Sequence, residues 1–254
     1  MGASNNKYIR KARRKRLIKR IIFIIILLGI IIWLFITKSS VFLIKNVDVT
    51  GEHLVTKDFI SEKTQEIKGK NIFFVKSNEI QKLLKSDPYV GSVEIKRKFP
   101  STLEINVTEK DVAYYIKSNG NYDVISSDLV LLENVNKLKT DGLIEITGLK
   151  KQSGELGQKY CDTGDDTRLD TFFSTLYKIK KANKTSHKIT KVDVSNLSHI
   201  IVYFNDVQVK VGSGSDLIKK INKALNILED KKLNFKKGYI DLSFEGAPVL
   251  KEEK

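Results

Sequence analysis

The chain has one cysteine, three histidines and no acidic residue among its first twenty positions. With Cys161 alone, neither an internal disulfide framework nor a cysteine-rich zinc module can form. His53, His187 and His199 are scattered, and there is no cysteine pair or H-E-x-x-H helix, so a metal centre has no basis in the sequence. His199 instead precedes a strand of alternating character. A G-x-S-x-G nucleophile elbow is also missing. Gly212-Ser213-Gly214-Ser215-Asp216 lacks the third glycine of a dinucleotide fingerprint and the Gly-Lys-Ser/Thr of a phosphate loop. It reads as a strand-to-helix connection capped by Ser215 or Asp216. Cys161 lies in a polar stretch, Gln158 to Thr163, with no local base, and reads as a passive thiol that, if exposed, could join an intermolecular disulfide. Asp162, Asp165, Asp166 and Asp170 do not follow the spacing of a calcium loop and suit a helix start. No catalytic set, metal site or cofactor is expected.

What is present is ample for folding. Hydrophobic residues make up 41% of 254 and charged residues 30%, too apolar for a disordered chain and long enough for one large domain or two modest ones. The 45 Lys and Arg exceed the 30 Asp and Glu, giving a formal charge of +15. That balance raises nucleic acid or an anionic membrane as partners, and its distribution favours the membrane. Lys7, Arg10, Lys11, Arg13, Arg14, Lys15, Arg16, Lys19 and Arg20 lie in residues 1–20, leaving 36 basic against 30 acidic residues elsewhere.

This block abuts Ile21 to Ile36, sixteen uncharged residues that are all large and apolar except Gly29. Sixteen helical residues cover roughly 24 Å, and Leu17, Ile18 and Thr37 extend them toward a hydrocarbon core of about 30 Å. Lys19, Arg20 and Lys38 can snorkel to the headgroups. Insertion is favoured by roughly 5–9 kcal/mol. Thr37-Lys38-Ser39-Ser40 carries no small-residue cleavage pattern, so the span at 21–37 is expected to stay as an anchor. Arg13, Arg14, Lys15, Arg16, Lys19 and Arg20 then fix the N-terminus in the cytoplasm, and Trp33 falls near the outer interface. Topology accounts for the basic block without nucleic acid.

Beyond the span, two regions are expected. From 42 to 110, Val47 and Val49 alternate with polar residues, and Thr56 and Ser77 can cap two amphipathic helices. Val93 to Lys98 and Leu103 to Val107 form a hairpin about Phe99-Pro100-Ser101. The order is strand, helix, helix, strand, strand. From 111 to 245 the pattern is β-rich with two helices. Asn119-Gly120 marks a hairpin between Val112–Ile116 and Tyr122–Ile125. Further strands fall at 130–132, 143–146, 189–194, 200–204 and 207–211, and a final strand runs from Tyr239 to Phe244. Leu169, Phe172, Phe173, Leu176 and Ile179 line one helix face, and Leu217, Ile218, Ile221, Leu225 and Leu228 another. Residues 246–254 form a short tail. The fold class is α+β.

Val47-x-Val49-x-Gly51, Asp87-Pro88-x-Val90-x-x-Val93 and Arg97-Lys98-Phe99-Pro100-x-Thr102-Leu103-x-Ile105-x-Val107-x-Glu109 together resemble the POTRA domain of the FtsQ/DivIB cell-division family. Val207-x-Val209-x-Val211-Gly212, a helix with Lys219 and Lys220, and Tyr239-Ile240-Asp241-Leu242 resemble that family's β domain. Ser243 departs from the arginine that often follows this last motif in the family. The resemblance implies a single-pass, non-enzymatic scaffold of the divisome, concentrated at the division septum. It also implies partners: FtsL and FtsB/DivIC-type coiled-coil proteins and, indirectly, a septal penicillin-binding protein. It would place partner contact at Tyr239, Asp241, Phe244, Glu245, Ala247 and Val249, with Phe244 as the aromatic anchor. Residue alternation cannot tell whether the last strand is an open edge or an ordinary core strand. An anchored wall enzyme or a membrane sensor are the competing classes.

Overall fold

The computed structural model describes residues 7–51, 56–151, 154–161, 167–233 and 235–253. His53 and the acidic residues Asp162, Asp165 and Asp166 lie outside them. Helix α1 spans Lys7–Lys38, so the helix runs unbroken from the basic block into the apolar stretch. Its segment Arg13–Lys38 is long and apolar enough to cross a membrane. The large apolar side chains from Leu17 to Phe35 are all exposed. A helix apolar on every side, with none of it buried in protein, suits lipid rather than water.

Contacts divide the chain into two compact units, residues 1–84 with 93–107, and 85–92 with 108–254. After α1, a single 3-10 turn at Ser40–Phe42 leads into β1 (Asn46–Thr50), α2 (Lys57–Gln65), α3 (Ser77–Leu84), β2 (Val90–Lys98) and β3 (Thr102–Glu109). This is the expected order. The sheet runs β1-β3-β2, with β1 parallel to β3. A parallel pair requires a crossover, and α2 and α3 supply it. Ile44, Ile60, Ile67, Ile72, Ile80, Leu84, Leu103 and Ile105 form the core beneath them. Thr56 occupies the position before α2 but makes no side-chain capping bond, and Ser77 is already the first residue of α3.

The second unit contains β4 (Val112–Ser118), β5 (Asn121–Ser126), β6 (Leu131–Val135), β7 (Ile144–Thr147), α4 (Arg168–Ala182), β8 (Lys191–Asp193), β9 (Ile200–Phe204), β10 (Val207–Gly212), α5 (Leu217–Glu229), β11 (Gly238–Asp241) and β12 (Val249–Glu252). These strands form one nine-stranded sheet in the order β12-β11-β10-β9-β8-β7-β4-β5-β6. Asn119 and Gly120 both have positive φ, 49° and 84°, the conformation a two-residue hairpin turn requires. Val202, Val209, Ile221, Ala224, Phe173, Leu176 and Ile240 share one core. Tyr114 ties α4 down, its hydroxyl donating to the Phe173 carbonyl at 2.6 Å. Cys161 is also in this core, 6% exposed, so the thiol read from its polar neighbours is buried and is not a surface disulfide partner.

Candidate partner-binding edge

The expected strand from Tyr239 to Phe244 is shorter than its alternation suggests. β11 ends at Asp241, and after seven intervening residues β12 returns antiparallel to it, pairing Asp241 with Val249 and Gly238 with Glu252. Local hydrogen bonding explains the break. The Asp241 carboxylate accepts from the Ser243 backbone N–H at 2.9 Å and from its hydroxyl at 2.6 Å. A side chain that bonds the backbone two residues on favours a turn over a strand. Leu242 is buried, and its N–H reaches the Lys210 carbonyl at 2.9 Å. Lys223 of α5 donates to the Gly246 carbonyl at 2.8 Å. Gly212 has φ +70°, and a Cβ there would stand 3.1 Å from the Ser243 carbonyl oxygen, so the turn lies close on β10.

β11 is therefore an interior strand, parallel to β10 on one side and paired with β12 on the other. The open edge belongs to β12, in the region expected as a tail. All four of its residues are exposed. Glu253 N–H bonds to the Lys237 carbonyl, and with the strand register this directs the N–H groups of Val249 and Lys251 toward β11. By antiparallel alternation, the N–H and C=O of Leu250 and Glu252 point outward. Sequence reading missed β12 because Val249-Leu250-Lys251-Glu252 does not alternate; Pro248 just before it was the available signal.

The six candidate residues divide among three settings. Tyr239 and Asp241 lie half-buried on one face of β11, opposite Gln208 and Lys210 of β10. Phe244, Glu245 and Ala247 are exposed in the turn, with Phe244 at 50%. Val249 opens β12. The Lys210 ammonium stands 3.8 Å from the centre of the Tyr239 ring, a cation–π contact that fixes the ring. Partial burial pushes the Asp241 carboxyl up, but the two Ser243 donors and the Lys210 charge outweigh it and hold its pKa below the usual range. Among the described residues, no three His, Cys, Asp or Glu side chains come together as metal ligands.

Comparison with known families accounts for both units. The model "POTRA domain, FtsQ-type" matches residues 42–110. The model "Cell division protein FtsQ/DivIB, C-terminal" matches residues 113–243, half of the chain. The chain belongs to the FtsQ/DivIB family. Within that family, cell division protein DivIB of Clostridium acetobutylicum is 37% identical over 214 residues, 84% of each chain. DivIB of Clostridium botulinum (strain Hall) is 30% identical over 253 residues, 99% of this chain and 98% of the relative. Cell division protein FtsQ of Corynebacterium glutamicum is 24% identical over 136 residues, 54% and 59% of the two chains. FtsQ/DivIB proteins are non-enzymatic cell-division proteins. The C-terminal family match ends at Ser243, just where the turn leading to β12 begins.

Proposed function

We propose that this chain is a bitopic scaffold of the divisome. Its basic end, with Arg13, Arg14, Lys15, Arg16, Lys19 and Arg20, lies in the cytoplasm, and α1 anchors it with Trp33 near the outer interface. The POTRA region, 42–110, and the β domain, 111–245, lie outside the membrane at the septum. There the chain holds FtsL and FtsB/DivIC-type partners beside septal wall synthesis, and through them a penicillin-binding protein.

The observation that most favours this reading is the exposed strand β12 beside an exposed aromatic turn. An extended partner segment can pair with the outward groups of Leu250 and Glu252, while Phe244, Ala247 and Val249 supply apolar contact and Glu245 a charge at the rim. Tyr239 and Asp241 support the turn from β11. The proposed surface thus keeps the six residues and adds Leu250 and Glu252.

Capture of the purified FtsL and DivIC-type partners by the full chain tests this reading. Phe244→Ala is expected to weaken capture by about 2 kcal/mol, as for a buried interface aromatic, and to leave the melting temperature unchanged because the ring is solvent-exposed in the free chain. Unchanged affinity would move the interface elsewhere.

A further inference from the structure

The end of the first unit next to α1 carries a row of aromatic rings. Phe35, in the last turn of α1, meets Phe42 edge-on with centroids 5.7 Å apart. Phe42 meets Phe73 at 5.1 Å, and Phe73 stacks on Phe99 at 4.9 Å. Despite these contacts Phe73 is 40% exposed and Phe99 57%, and Val41 and Phe74 beside them are 45% and 60% exposed. Ordinary surface loops do not gather so many large apolar side chains without a partner.

The row is built rather than accidental. Arg97 reaches across from β2, its Nε donating to the Ile72 carbonyl at 3.0 Å and its terminal nitrogen to the Val75 carbonyl at 2.7 Å. It thereby clamps the loop that carries Phe73 and Phe74 at both ends. Asn71 Oδ1 accepts from the Phe73 N–H at 2.9 Å, and Asn71 Nδ2 donates to the Ile36 carbonyl of α1 at 2.8 Å. That second bond satisfies a carbonyl left free at the helix end and sets the loop level with the last turn of α1. Lys45 N–H bonds to the Ser101 carbonyl, which holds the Phe99–Ser101 turn at the same end. Lys38, Lys45 and Lys70 are exposed there.

We propose that this aromatic row is a second membrane contact, a platform that seats the first unit on the phospholipid headgroup region of the outer leaflet. The inference rests on α1 being a membrane anchor. If α1 spans the bilayer, Phe35 and Ile36 lie near its outer boundary, and the contacts to Phe42 and Asn71 bring the row to that depth. Aromatic rings favour this interface, and the exposed lysines beside them suit lipid phosphates. Lipid is the occupant because the row is continuous with the exposed face of the span. Seating the platform would restrict the tilt of the unit relative to the membrane.

The full chain in phosphatidylcholine–phosphatidylglycerol vesicles, with lipids brominated at shallow acyl positions, provides the test. The native chain has a single tryptophan, Trp33, and its quenching reports the anchor. In a Trp33→Phe background, Phe99→Trp reports the platform and Lys57→Trp serves as the control, because Lys57 is exposed at the start of α2, about 12 Å along the helix axis from Gln65 at the end that leads to Asn71. Quenching at 99 comparable to that at 33 and well above that at 57 supports the platform. Quenching at 33 while 99 behaves like 57 overturns the platform and leaves the anchor standing. No quenching at 33 removes the anchor and the platform together. A shift in Phe99→Trp emission on adding the partner proteins, with no lipid quenching at 99, makes the row a protein-docking surface and overturns the proposal. Val41→Trp in the same background gives a second position should Phe99→Trp fail to fold, with the same outcomes.

Discussion

The nine-stranded sheet has two edges, and they are finished differently. At one, the segment 157–160 pairs with the start of β6 and the residues before it: Gly157 N–H bonds to the Leu131 carbonyl, Leu131 N–H to the Gln158 carbonyl, and Tyr160 N–H to the Leu129 carbonyl. Behind this cover Asp123 is fully buried, accepting from Asn134 Nδ2, Lys151 Nζ and the Tyr160 hydroxyl. Burial and the Asp123 charge push the Tyr160 hydroxyl pKa upward, so it stays a donor. At the other edge β12 is exposed along its length and has no cover among the described residues. A bare edge invites pairing with another chain, and proteins usually block it. This protein covers the start of one edge with a charge-pinned flap and leaves β12 bare at the other, and this difference supports the proposal that a partner pairs with β12.

The sharpest way to break the contrast is at the pinned edge. Asp123→Ala removes a buried carboxylate on which three donors converge, leaving Lys151 and Tyr160 without their acceptor. Lys151 is about a third exposed, so water relieves part of the penalty. A loss of about 3 kcal/mol is expected, at the lower end for a broken buried ion pair. Thermal unfolding of the detergent-solubilised chain measures it. Partner affinity of the protein that stays folded should match wild type, because β12 lies at the far end of the sheet order. A loss of capture without a loss of stability would contradict the division of labour between the two edges.

At the open edge the same logic predicts lost binding with little lost stability. The Leu250 N–H points away from β11, so Leu250→Pro deletes an outward donor and keeps the internal ladder, as proline does on edge strands. Affinity for a strand-adding partner is expected to fall at least about tenfold, equivalent to about 1.4 kcal/mol, with the unfolding midpoint little changed. Equal capture by Leu250→Pro and wild type would show that the partner binds through side chains alone.

These edges were unequally legible in the sequence. The hairpin at Asn119-Gly120 and the inner face of α4 could be read because each is a local pattern: two residues tolerant of positive φ, and apolar residues at steps of three and four. The neighbours of β7 could not. It runs parallel to both β4 and β8, and pairings between strands this far apart leave no local mark. Asp123 lies inside the expected strand Tyr122–Ile125, but its burial could not be read from that strand alone, because the groups that satisfy it, Lys151, Asn134 and Tyr160, are distant in sequence. At the candidate site, the motif ending in Asp241-Leu242 was recognisable, and Phe244, expected as an aromatic anchor for a partner, lies exposed in the turn that follows it. The strand boundary was misread because the hydrogen bonds from Ser243 to Asp241 override an alternation that continues to Phe244. Ser243, where the sequence departs from the resembled family pattern, is the residue whose hydrogen bonds to Asp241 close the turn.

That turn gives the smallest expected effect and bears on how the open edge is presented. The folded-state pKa of Asp241 lies below its ordinary value. Its contribution is therefore complete above the unfolded aspartate pKa of about 3.9 and is lost as pH falls through the lower folded value. The side chain is only partly buried, so solvent screening keeps the stability change small. With carboxyl-labelled aspartate, Asp241 in the detergent-solubilised chain should titrate with a midpoint below that of an unfolded aspartate, and Ser243→Ala should raise the midpoint by removing the hydroxyl donor. The same substitution should cost about 0.5 kcal/mol in stability and weaken partner capture slightly, because Phe244 is next in the turn. If the midpoint does not move in Ser243→Ala, the hydroxyl bond is not what turns the chain after Asp241, and Leu242 burial with the Lys223 brace must hold the open edge in place.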